Sequence, residues 1–265
     1  MTSLAARSDQ SHLPCGARKS QFEHVRMFLS APIRISGCRH VMPNNLMRFA
    51  AGGLMALLVM LIPLATALAH PHVFVDAKAE LLFDTQGRLT AIRHVWTFDP
   101  AFSAFAVQGL DKNHDGILSA DELAPLAKTN VTSLNRYSFF TILAIDGKKI
   151  PLKFPDVYFL RWQGNHLTLF YQLPLKQPIA VQQKTTLEVY DPEYFVAFTF
   201  EKKDPVTLLH APAGCHAEYH PPKPIDAHIM AELAAIPIDQ HDLPAALRDA
   251  AVGLANIITM ECTSS

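Results

Sequence analysis

Asp111, Asn113, Asp115, Ser119 and Glu122 stand at positions 1, 3, 5, 9 and 12 of the twelve-residue stretch 111–122, with Gly116 at position 6. A hard cation such as calcium takes about six to eight oxygens in a flexible cage, and this spacing supplies them. Asp111, Asn113 and Asp115 offer side-chain oxygens, Ile117 its backbone carbonyl, Ser119 a hydroxyl acting directly or through water, and Glu122 both carboxylate oxygens. Gly116 permits the sharp turn such a loop needs. Ser119 and Glu122 also have the spacing of a capping box, so a helix is expected to leave the loop there.

This stretch resembles the loop of the EF-hand family, a resemblance confined to an insertion over 99–135. It implies bound calcium. Two features separate the chain from a paired sensor. No second loop occurs, and Pro125 falls early in the exiting helix, where it removes a backbone hydrogen bond and stiffens or kinks the helix. A lone loop of this kind is expected to act as a structural clamp, binding at roughly 0.1–1 mM as extracellular modules do.

The second group of ligand-type residues is His70 and His72, two apart and so on one face of a strand. Their chemistry depends on processing. Residues 49–69 carry no charge, Arg48 precedes them, and they end in Ala67-Leu68-Ala69. A basic region, an apolar run and small residues at a cleavage point are the order of a secretory signal, expected over 47–69. Residues 1–46, polar and holding Cys15 and Cys38, form an N-terminal extension not expected in the mature protein. The rival reading is a membrane anchor over 49–69, since about 20 apolar residues can span a bilayer.

Cleavage after Ala69 frees the α-amine of His70 in a periplasmic protein. An amine and imidazoles suit nickel, cobalt, zinc or copper. Pro71 has no N–H, which excludes a chelate built on deprotonated backbone nitrogens of the second and third residues. A terminal brace, or two imidazoles with a third ligand, remains open. His94, His210 and the Cys215-His216-x3-His220 cluster are further candidate ligands. Cys215 and Cys262 are the two cysteines left in the exported chain and read most simply as one disulfide.

Other chemistry finds no support. The chain has no Gly-rich phosphate loop, no G-x-S-x-G and no H-E-x-x-H. Asp191 and Glu193 pair two carboxylates on what reads as a solvated corner. No nucleophile has an obvious base, so a non-enzymatic protein is expected. Residues 1–69 hold seven Lys/Arg against two Asp/Glu, whereas 70–265 hold sixteen against twenty-two. A mildly acidic body argues against a nucleic-acid binder, which would need a basic stripe.

The elements that must hold these residues follow from pattern. Of 265 residues, 49% are hydrophobic and 18% charged, enough to build an ordered core. Residues 73–83 alternate apolar and polar, 84–87 are turn-forming, and 89–98 resume a strand, which predicts a hairpin. Asp99-Pro100 starts a helix, and a second helix reaches about Asn135. Strands are expected over 139–145, 157–162, 167–173, 185–190 and 195–200. Residues 210–224 read as a loop, with short helices over 226–235 and 243–257. The expected fold is α+β: an antiparallel, sandwich-like β domain over 70–265, interrupted by the helix–loop–helix.

His70-Pro71-His72-Val73-Phe74-Val75-Asp76 after a signal, Trp96-Thr97-Phe98-Asp99, the calcium-type loop, Tyr190-Asp191-Pro192-Glu193-Tyr194 and the late Cys262 together resemble the bacterial family called domain of unknown function 1007, over about 70–262. Members are typically exported, are often labelled periplasmic transport components, and tend to be encoded beside nickel/cobalt permeases. The resemblance implies an accessory role in metal transport with an inner-membrane metal permease as partner, and a membrane contact only through the signal or anchor. Two alternatives are a solute-binding component of an ABC-type importer and an enzyme with a terminal copper brace. The β-rich pattern lacks the two α/β lobes of a usual solute binder, and nothing in the sequence marks a substrate site for such an enzyme.

Overall fold

In strand β1 (Val73–Phe83), Val73, Val75, Ala77, Ala79, Leu81 and Phe83 are buried and the residues between them are not, which gives the strand one core face. The turn into β2 (Arg88–Phe98) is closed by Asp84, whose carboxylate accepts the N–H groups of Gln86 and Arg88 at 3.0 and 2.9 Å. Thr90 drops out of the β1–β2 register, so Leu89 pairs with Phe83 and Ile92 with Leu81. That bulge switches the phase of the strand. Beyond it Ile92, His94, Trp96 and Phe98 are all buried.

The computed structural model describes residues 71–181, 184–237, 240 and 243–263. The extension 1–46, the signal segment 47–69 and His70 lie outside the described residues. Strands β3 (Thr141–Ile145), β4 (Lys148–Ile150), β5 (Val157–Gln163), β6 (His166–Ala180), β7 (Thr185–Val189), β8 (Val196–Phe200), β9 (Val206–Leu209), β10 (Cys215–His220) and β11 (Asn256–Cys262) complete two sheets. The first has the order β5-β6-β2-β1-β8, with β9 also on β1. Both β8 and β9 run parallel to β1, so this sheet is mixed. The second has the order β10-β11-β7-β3-β4 and is antiparallel throughout.

The two inner faces share one core. Trp96 of the first sheet lies 4.9 Å from Tyr171 and 4.8 Å from Phe198, ring centre to ring centre, and 6.4 Å from Phe140 at the start of the second sheet. The sandwich-like α+β fold expected from the sequence is therefore present, with two parallel pairings that the pattern did not reveal.

Helix α1 (Pro100–Ala106) begins at Asp99, whose carboxylate accepts the N–H of Phe102 at 2.9 Å. Helix α2 (Ala120–Leu134) buries Leu123, Leu126, Ala127, Asn130, Val131 and Leu134, an i, i+3, i+4 stripe. It runs unbroken past Pro125. A 3-10 turn (Asn135–Phe140) follows and holds three consecutive left-handed residues, Ser138, Phe139 and Phe140, at φ 52°, 57° and 50°. Such a conformation costs an L-residue roughly 1–2 kcal/mol. Burial of the two phenyl rings, each worth about 2–3 kcal/mol, offsets that cost. The Phe139 carbonyl is also held, accepting the Thr141 and Tyr171 hydroxyls at 2.7 and 3.3 Å.

Helices α3 (Ala227–Ala234) and α4 (Ala245–Gly253) form a second, smaller cluster, in which Leu233, Leu247 and Ala251 pack with Tyr194. Two expectations need correction here. The 210–224 segment contains β10, and the helix expected over 243–257 stops at Gly253 so that Asn256 can begin β11. β10 and β11 pair with each other, Cys215 opposite Cys262, and a disulfide joins these cysteines; β4 and β9 likewise lie outside the expected strands.

Candidate functional site

The 111–122 loop sits between α1 and α2, and its own side chains close it. The Gly116 N–H donates to one Asp111 carboxylate oxygen at 3.0 Å, the Asp115 N–H to the Asn113 side-chain oxygen at 3.1 Å, and the Ile117 N–H to Asp115 at 2.7 Å. Gly116 has φ 79°, as the sharp turn requires, and His114 also takes a left-handed φ of 60°. Leu118 packs against the main core and fixes the loop to it, while the Ile117 side chain is exposed.

Glu122 is held by the capping box. Its carboxylate accepts the Ser119 N–H at 3.0 Å, the Ser119 hydroxyl at 2.7 Å and the Lys112 N–H at 2.8 Å, while Ser119 in turn accepts the Glu122 N–H at 3.3 Å. These bonds, that of the Ser119 backbone foremost, pull the Glu122 carboxyl down to about 2, so it is ionised at any ordinary pH. Asp111 differs from the rest. Its second carboxylate oxygen is buried and has no hydrogen-bond partner. A buried anionic oxygen without a donor is costly unless a cation meets it. The residues thus fit a hard cation on the two counts of oxygen donors and an uncompensated carboxylate. Among the described residues, however, no three His, Cys, Asp or Glu side chains are grouped closely enough to hold a metal.

His72 lies at the start of β1. Its N–H donates to the Phe195 carbonyl at 2.9 Å, and its ring is 4.7 Å from that of Phe195. The platform is the 191–195 turn, which the sequence presents as a solvated corner. That reading needs correction. Asp191 is buried, and its carboxylate accepts the N–H groups of Glu193, Phe195 and Val196 at 2.9, 3.1 and 3.0 Å. It pins the strand start rather than facing water. Asp99, the cap of α1, also accepts the Phe74 N–H at 3.2 Å, two residues beyond His72.

The remaining candidate ligands are dispersed. Cys215 is committed to its disulfide. His94 is fully buried between the sheets, its Nε2 3.1 Å from the Thr141 hydroxyl, and burial pushes it down to about 3. His220 bonds Thr259 at 2.9 Å, and His210 and His216 are exposed on the surface. His94 alternates with Ile92, Trp96 and Phe98, a period-2 signal that places it on the buried face, whereas Asp191, beside Pro192 in a turn-type stretch, carries no such signal.

The chain belongs to the family described as "Protein of unknown function (DUF1007)", whose model matches residues 55–262. It is similar to an uncharacterised protein of Haemophilus influenzae, 25% identical over 173 residues that cover 64% of this chain and 81% of that protein. It is also similar to an uncharacterised 15.5 kDa protein in the trpE 3' region of Spirochaeta aurantia, 26% identical over 104 residues that cover 39% of this chain and 74% of the other.

Proposed function

We propose that this is an exported, non-enzymatic metal-binding protein, reaching the periplasm through the 47–69 signal and accessory to metal transport at an inner-membrane permease. Calcium binds through Asp111, Asn113, Asp115, Ile117, Ser119 and Glu122. A transition metal, among nickel, cobalt, zinc and copper, binds at His70 and His72. The buried, donor-less oxygen of Asp111 in a loop already turned by Gly116 is the observation that carries the calcium reading. The transition-metal and transport readings rest on the terminal histidines and the family resemblance.

Calorimetric titration of the 70–265 protein tests both sites. Calcium should bind at one site, and Glu122→Gln should weaken it at least about tenfold by removing a charge and the two-oxygen grip. His70→Ala and His72→Ala should weaken nickel or cobalt and leave calcium unaltered, because the ligand types differ. Absence of calcium binding up to several millimolar overturns the first site, and unaltered transition-metal titrations in both His variants overturn the second.

A further inference from the structure

A cavity of about 880 Å³ opens beneath the left-handed turn, between it, the β3–β4 hairpin, β6 and the segment that follows β7. That volume is in the range of small-molecule sites, roughly 300–1,000 Å³. Its inner wall is apolar, with Phe139, Phe140, Leu143, Ile150 and Leu152. Its rim is not. Arg136, Lys149 and Lys176 line it against a single carboxylate, Glu193. The body of the protein has the opposite balance, sixteen Lys/Arg against twenty-two Asp/Glu over 70–265, so the excess of cations is local to this cleft. Lys149 and Lys176 are exposed and form no ion pair with another described residue.

We infer that this cleft binds a small amphiphilic organic anion, a carboxylate or sulfonate on an apolar body. Cations at the mouth of a low-dielectric wall concentrate the field on an incoming anion. Lys149 and Lys176 each supply an ammonium that an incoming carboxylate or sulfonate can meet. The apolar wall then favours a ligand with a hydrocarbon or aromatic body over a bare inorganic anion. The inner wall is pre-formed, because the Phe139 carbonyl is fixed by Thr141 and Tyr171 and the Phe140 carbonyl accepts the Tyr190 N–H at 3.2 Å. A site that needs little ordering loses less affinity to entropy. None of these residues belongs to the calcium loop or the terminal histidines, so the inference stands independently of metal binding.

The test is calorimetry of the 70–265 protein with octanoate, octan-1-ol and inorganic phosphate, with calcium and with a chelator. Octanoate should bind saturably at one site, at least about tenfold more tightly than octanol or phosphate, and less tightly as salt rises. The double variant Lys149→Ala/Lys176→Ala should lose at least about tenfold in octanoate affinity with an unchanged melting temperature, since both side chains are exposed. The control Lys202→Ala/Lys203→Ala, outside the cleft, should bind as the parent does. Calcium should make no difference. No saturable octanoate binding, equal binding of octanol or phosphate, or an unaffected Lys149/Lys176 variant would overturn the proposal.

Discussion

At the scale of single residues, His94 makes the strongest physical statement. Thr141 donates its hydroxyl proton to the Phe139 carbonyl, so the bond to His94 has the imidazole Nε2–H as donor. The Nδ1 lone pair has no hydrogen-bond partner, and the ring stacks on Tyr171 at 5.0 Å. Charging this imidazole requires a cation in an apolar core, which is why it lies at about 3 against an ordinary 6.5. Below pH 6.5 the unfolded chain takes up a proton that the native chain refuses. Stability is therefore fully present above 6.5 and falls as pH drops from 6.5 toward 3, by about 1.4 kcal/mol per pH unit from this residue. Urea unfolding between pH 7 and 5 should show this slope. His94→Phe keeps an aromatic ring but cannot titrate, so its slope should be flatter by about that amount. Parallel pH profiles for the two proteins would mean that His94 is not the acid-sensitive group.

The elements show where sequence patterns carry and where they stop. The Cys215–Cys262 bond staples the outermost strand of the second sheet to its neighbour. In a chain-entropy model a link across 47 residues contributes about 4 kcal/mol, and Cys215→Ser/Cys262→Ser should lower unfolding stability by up to that amount. An unchanged urea midpoint would show that the β10–β11 pairing holds without the link. The expectation of this bond rests on the cysteine count together with the expected removal of residues 1–69, which would leave two thiols with one partner each. β10 itself escaped notice. Only Cys215, Ala217 and Tyr219 turn inward, none is fully buried, and prolines flank the strand at Pro212 and Pro221. β11 is hidden in the sequence because α4 ends only two residues before it, so one helical period spans both. β1, β2 and α2 were legible, since each buries a continuous stripe at the period of its own geometry. The turn at Gly116 and the capping box of Ser119 and Glu122 were legible because their signals are contiguous in sequence. The cleft was not. Arg136, Lys149, Lys176 and Glu193 come from four separate segments, and nothing about Ser138, Phe139 or Phe140 announces a left-handed turn where glycine or asparagine would be usual.

For the molecule as a whole, the question is how far a cation in the loop would reach. Leu118 and the buried stripe of α2 belong to the same core as Trp96, Tyr171 and Phe140, whereas Leu233, Leu247 and Ala251 form a separate cluster around Tyr194. A ligand that binds only the folded state stabilises it by about 2.7 kcal/mol at a hundredfold excess over its dissociation constant. Amides that exchange through global unfolding, those of β2 and β6 among them, should therefore slow in calcium. Residues 107–134 should slow as well, because the loop and both of its helices lose local openings. The α3–α4 pair should keep its exchange rate, since its own cluster opens independently of the loop. Hydrogen–deuterium exchange with calcium and with a chelator measures all three. The apolar stripe of α2 is already seated on the core, so a solvatochromic dye should report no new surface in calcium. Faster exchange in α2, or dye binding induced by calcium, would replace the clamp with a sensor.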